Sequence, residues 1–232
     1  MSSKKAALRA ALPHTIPVLT GYIVLGAVYG ILMDSMGFSL LWSLLASTFI
    51  YAGSMQFLSV TMLSSGFNPL FTLWMTLMLN SRHLFYGVSM LEKYRGLGRL
   101  KPYLIFSLTD ETFSLVCSTE PPEGVDRKWF LFFLSFLNQM YWISGSLLGS
   151  ILGRMIEFNN KGIEFVLTAL FVVIFLNQWQ TAKNHLPALL GVTGAVLCRL
   201  IFGASYYFII ATMLFILISL IVLKRPLEGR RS

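Results

Sequence analysis

Apolar residues fall in eight long runs, at 12–33, 40–63, 70–91, 102–118, 129–152, 163–180, 186–202 and 205–223, joined by short polar stretches. Runs of this length predict helices of bilayer-spanning size rather than strands or a soluble core. Run 40–63 departs from the others. Its middle reads Tyr51-Ala52-Gly53-Ser54-Met55-Gln56-Phe57, placing small residues and an amide where a plain span carries leucines. This predicts a break near Gly53-Ser54. Backbone groups freed by a break inside a membrane must face protein or a water-filled cavity, and broken helices are where transporters build substrate sites. The competing reading is a straight helix whose small residues pack against a neighbour.

Composition narrows the class. Of 232 residues, 56% are hydrophobic and only 12% charged, with a mean hydropathy of +0.70. A soluble domain carries about 25% charged residues. The net charge of +8 does not point to nucleic acid, because Lys and Arg sit at the ends of apolar runs as topology signals do. Lys4, Lys5 and Arg9 precede the first run, which lacks a convincing small-residue cleavage site and reads as a retained first helix.

The positive charges also bear on topology. If all eight runs cross and the N-terminus is cytoplasmic, Lys93, Arg95, Arg99 and Lys101 are stranded outside. If 40–63 and 163–180 instead enter and leave on one side, only Arg127 and Lys128 remain outside, as the positive-inside rule prefers. The expected fold is an all-α polytopic membrane protein with about six full spans plus two broken or re-entrant segments. It comprises a cytoplasmic segment 1–11, one transmembrane domain 12–223 and a cytoplasmic basic tail 224–232. Residues 12–118 and 129–223 then form an inverted repeat, a frequent transporter plan. Gly26-x-x-x-Gly30 corresponds weakly to Gly145-x-x-x-Gly149-x-x-x-Gly153, and Met55-Gln56-Phe57 to Asn177-Gln178-Trp179. The glycine spacings suit a helix-packing seam equally well.

Candidate chemistry centres on Asp110 and Glu111, adjacent carboxyls midway along run 102–118. An acid at mid-membrane faces the protein interior and has a partner. Arg82, in Asn80-Ser81-Arg82-His83, lies nine residues before run 70–91 ends, and Asp110 eight after Pro102. At ~1.5 Å per residue both stand ~12–14 Å from the joint between the runs. An Arg82 pair with Asp110 or Glu111 is expected, with one of these carboxyls as the proton-coupling group; His83 is a weaker relay. Gly53, Ser54, Gln56, Asn80, Asn177 and Gln178 are the expected substrate-binding residues. Asn138, Gln139 and Gln180 read as helix glue. No catalytic residue, metal site or cofactor is expected: Cys117 and Cys198 form no Cys-x-x-Cys, the three histidines are scattered, and no Walker A sequence occurs.

The strings FIYAGSMQFLSV, MLNSRHLFYGVSM and LTDETFSL, with GSLLGSILG at 145–153, resemble the signature stretches of the AzlC/YgaZ family in order and spacing. The resemblance extends over nearly the whole chain. It implies the large subunit of a bacterial branched-chain amino acid exporter in the inner membrane, with both termini cytoplasmic by the charge count. It also implies Leu, Ile, Val and Met as substrates, and a separate small hydrophobic AzlD/YgaH-like partner. Intramembrane carboxyls without a nucleotide site favour proton coupling and alternating access in which the two repeats rock about a midplane site. The competing readings are an uncoupled channel or facilitator for small polar solutes, and a non-transporting membrane scaffold.

Overall fold

The computed structural model describes residues 3–64, 66–155, 172, 175–176, 179–180, 185–203, 211–212, 214–216 and 218–219. The chain divides into two compact units, Met1–Ile163 and Glu164–Ser232. Every regular element described is helical.

In the first unit, α1 spans Ser3–Ser35. The half-length helices α2, Leu40–Phe49, and α3, Gly53–Ser64, follow it. Then come α4, Pro69–Met90, the short α5, Lys101–Phe106, α6, Asp110–Ser118, and α7, Arg127–Met155. By length and composition α1 and α7 can each cross a membrane. Their 33 and 29 residues reach ~50 and ~44 Å, against a hydrocarbon core of ~30 Å. Helices α2 and α3, with 10 and 12 residues, reach only ~15 and ~18 Å.

Helices α1 and α7 meet backbone to backbone. A Cβ on Gly26 would come 2.9 Å from the Ser146 nitrogen, one on Gly30 2.1 Å from the Ser146 oxygen, and one on Gly149 2.0 Å from the Ala27 oxygen. The glycine spacings are therefore a packing seam of the small-xxx-small kind. Near one end of the seam, Ala7 and Ala11 of α1 join Leu104, Leu108, Val116, Phe130, Leu131 and Leu134 in the main apolar core.

Run 40–63 is broken, as its sequence predicts, at Ile50–Ala52. Helix α2 closes with the Ile50 and Tyr51 N–H groups both donating to the Ala46 oxygen, at 2.9 and 3.1 Å. Tyr51 then takes φ 44°, in the left-handed region rarely entered by a residue with a side chain. Run 102–118, expected as one continuous span, is also divided. Helix α5 ends at Phe106 and α6 starts at Asp110. Thr109 caps α6 through its side chain, which accepts from the Thr112 N–H at 3.3 Å. Asp110 and Glu111 thus stand in the first turn of a new helix, where their charge suits the helix dipole.

In the second unit, α8 spans Leu186–Phe202, with Pro187 in its first turn and Gly203 at φ 64° after its end. His185, just before α8, stacks on Trp179 at 4.3 Å. Gly194 leaves room for the Phe215 ring, which a Cβ would meet at 2.3 Å. The expected break around Asn177 and Gln178, and with it the second half of the inverted repeat, lies outside the described residues.

Candidate functional site

The two breaks converge. Arg82, in the middle of α4, directs one terminal nitrogen to Asp110 Oδ2, forming an ion pair. The other donates to Ser54 Oγ at 3.1 Å. One guanidinium thereby clasps the N-terminal turns of α3 and α6. The fork of donors in arginine suits this double contact, which the point charge of lysine could not reproduce. Tyr86, one turn further along α4, donates to Asp110 Oδ1 at 2.7 Å and stacks on Phe113 of α6 at 4.4 Å. Both oxygens of Asp110 are engaged. The Arg82 and Asp110 side chains each remain 31% exposed. The first N–H groups of α3 and α6 lack intrahelical acceptors, and both helix dipoles direct positive ends towards this point.

From the other side, α1 supplies Tyr22. Its hydroxyl donates to Glu111 Oε2 at 2.6 Å and lies 2.6 Å from Thr109 Oγ1. The Thr109 and Thr112 hydroxyl oxygens are 3.1 Å apart, and Asn138 of α7 donates to Thr112 at 3.0 Å. Tyr51 is buried beside Tyr22 and Thr112, with its hydroxyl lacking a hydrogen-bond partner.

Helix α7 holds the breaks in place. Gln139 donates to the freed Thr48 carbonyl at 3.1 Å and accepts from the Tyr103 hydroxyl at 2.7 Å, tying the end of α2 to α5. Trp142 donates to Gln56 at 3.0 Å. Ser47 donates to Ser146 and Ser150 to Ser43, each at 2.8 Å. These bonds satisfy polar groups that are costly to leave unpaired away from water.

The AzlC protein family model matches residues 17–156, a stretch that includes both breaks and the α1–α7 seam. The chain belongs to the AzlC family. It is 48% identical over 223 residues to the branched-chain amino acid transport protein AzlC of Bacillus subtilis (strain 168), covering 96% of this chain and 87% of that protein. It is 40% identical over 222 residues to an uncharacterized membrane protein of Helicobacter pylori (strain ATCC 700392 / 26695), covering 96% and 97%. Inner membrane protein YgaZ of Escherichia coli (strain K12) is 27% identical over 179 residues, covering 73% and 72%. No solved structure matches the chain. As an AzlC-family chain, this is a membrane protein of a transport family rather than an enzyme.

Of the residues singled out from sequence, the AzlC-family structure brings Ser54, Arg82 and Asp110 into direct contact. Glu111 engages Tyr22 instead of Arg82. Gly53 opens α3 where a Cβ would press on the Trp142 ring at 3.3 Å. Gln56 is fully buried, its oxygen bound by Trp142 and its nitrogen donating to Ser47 at 3.3 Å. Asn80 is half-buried on α4, and its backbone oxygen faces His83 Nδ1 at 3.3 Å. Asn177 and Gln178 lie outside the described residues. Sequence reasoning passed over Tyr22, Tyr86, Thr109, Thr112 and Trp142. Tyr86 had a signal, since it stands four residues after Arg82 on the same helix face. So had Thr109, as an N-cap before two acids. Tyr22 had none, because its contact with Glu111 spans 89 residues.

Proposed function

We propose that this chain is the large subunit of a two-component secondary exporter. Its substrates are the branched-chain amino acids Leu, Ile and Val, with Met as a further substrate, and export crosses a bacterial cytoplasmic membrane. The observation that carries the reading is the Arg82–Asp110 pair between the N-terminal turns of two half-length helices. A zwitterion needs separate places for its two charges. The start of α3, with Ser54 and the Arg82 guanidinium, suits the carboxylate. Asp110 suits the ammonium. Apolar side chains around the breaks, such as Met55 and Phe57, suit an aliphatic side chain. The name of the Bacillus subtilis relative, at 48% identity, supports the substrate class.

In this reading 40–63 and 163–180 are re-entrant, the six remaining runs span the membrane, the repeats are inverted and both termini are cytoplasmic. Protons drive export, and the partner is a small hydrophobic AzlD-like subunit. Membrane vesicles containing this chain with such a subunit are expected to exchange labelled leucine for unlabelled leucine, isoleucine or valine. Exchange of no amino acid at all would overturn the reading.

A further inference from the structure

Arg82 and Asp110 neutralise one another between the starts of α3 and α6. Whatever binds one of these charges must leave the other compensated, because a lone charge away from bulk water is the expensive outcome. A carboxylate alone, taken by Arg82, leaves Asp110 beside a second negative group. An amine alone, taken by Asp110, leaves Arg82 unmatched. A solute carrying both charges leaves neither.

The contacts show which atoms can change partners. One terminal nitrogen of Arg82 holds Asp110 and the other Ser54, while the Nε–H is buried without an acceptor. A buried donor left unpaired costs free energy that an added acceptor recovers, and a carboxylate can span two N–H groups of one guanidinium. On the acid, Tyr86 donates to Oδ1 at 2.7 Å, its ring fixed by stacking on Phe113 at 4.4 Å. Oδ2 is the oxygen on Arg82. An ammonium can take over Oδ2 while Tyr86 keeps the carboxylate in position. Glu111 is held by Tyr22 of α1 instead, so the exchange draws on Asp110 alone.

We propose that the Arg82–Asp110 pair is a charge lock. A zwitterion opens it by replacing it head for tail, carboxylate on Arg82 and ammonium on Asp110, and solutes carrying only one of those charges are rejected. The inference rests on the exporter reading above and deepens it: the lock selects the charged groups of an amino acid, whatever its side chain. No covalent bond changes. One ion pair becomes two, and the site is neutral before and after. In an α-amino acid the two charged groups share one carbon, so a small solute can serve both partners at once. Because Arg82 also holds Ser54, the tie between the starts of α3 and α6 then runs through the solute.

Thermal unfolding of the full-length chain in lipid nanodiscs tests the lock. The probes are leucine, isocaproate (leucine without its amino group) and isoamylamine (leucine without its carboxylate). A solute that binds the folded protein raises its unfolding temperature by mass action. Leucine is expected to raise it in the wild type. The two analogues are expected to need roughly 30-fold higher concentration or more for the same shift, since each leaves one charge of the pair unmatched. Asp110→Asn frees Arg82 and is expected to gain a shift with isocaproate; Arg82→Gln frees Asp110 and is expected to gain one with isoamylamine. Arg82→Gln combined with Asp110→Asn strands no charge and is expected to fold and to lose the preference for leucine over both analogues. Either analogue matching leucine in the wild type overturns the proposal, and so does a wild type that does not respond to leucine. Single variants that fold and gain neither response overturn it too; where they do not fold, the wild type and the double variant decide. Leucine that stabilises the wild type but is not moved by vesicles with the small subunit sinks the exporter reading and leaves the lock standing.

Discussion

At the scale of single residues, the site is a set of mutual dependencies. Arg82→Ala would leave Asp110 charged at the head of α6 with only Tyr86 beside it. Because both side chains keep about a third of their exposure, the expected cost is about 1–3 kcal/mol, below that of a fully buried pair. Thermal unfolding in detergent checks this. The Arg82→Ala/Asp110→Asn double variant is expected to lose less than the sum of the singles, since no lone charge remains. Gln56 offers a second case. Gln56→Leu removes the acceptor of the buried Trp142 N–H, at an expected ~1–3 kcal/mol for the stranded donor. Adding Trp142→Phe is expected to cost less than its effect alone, measured by the same unfolding experiment. The Arg82–Asp110 pairing was legible in the sequence because two antiparallel runs share one joint, which fixes equal depth. The pairing of Tyr22 with Glu111 was not, because no local periodicity links α1 to α6.

At the scale of elements, the contrast lies between the two breaks. The first announced itself: Gly53, Ser54 and Gln56 interrupt an apolar run. The second hid inside a short run whose hydropathy reads as one helix, although Thr109-Asp110-Glu111 is a helix start in capping terms. Thr109→Ala is expected to destabilise the protein by about 0.5–2 kcal/mol through loss of that cap, seen as a lower unfolding temperature. The α1–α7 seam separates its glycines sharply. Gly149→Ala drives a Cβ to 2.0 Å from the Ala27 oxygen and is expected to cost about 3 kcal/mol, the upper end for overpacking. Gly21 of α1 has nothing within 4 Å of where a Cβ would stand; Gly21→Ala is expected to gain up to ~1 kcal/mol from helix propensity. Equal effects in the two variants would show that the seam is not a close backbone contact.

At the scale of the whole molecule, the runs that became α1, α4, α7 and α8 were legible because long apolar stretches leave little alternative to a helix in lipid. How many of them cross, and in which sense, rests on the distribution of positive charge. Helices α5 and α6 with their joint run from Lys101 to Ser118, and the proposed topology puts their two ends on opposite faces. With Cys117 and Cys198 replaced by serine, Arg95→Cys is expected to be labelled only from the cytoplasmic side of intact cells, and Glu123→Cys only from the outside. Both positions are exposed. Labelling of both from one side would show that 102–118 does not cross.

The α1–α7 contact bears on how such a protein moves. Two helices whose main chains touch through glycine have no side-chain cushion over which to slide or tilt. They behave as a fixed post, and a rocking motion that parted one from the other would forfeit the close fit along its whole height. The short rods α2 and α3 are lashed to that post through Gln139, Trp142, Ser146 and Ser150, so any swing of theirs has to undo those bonds first.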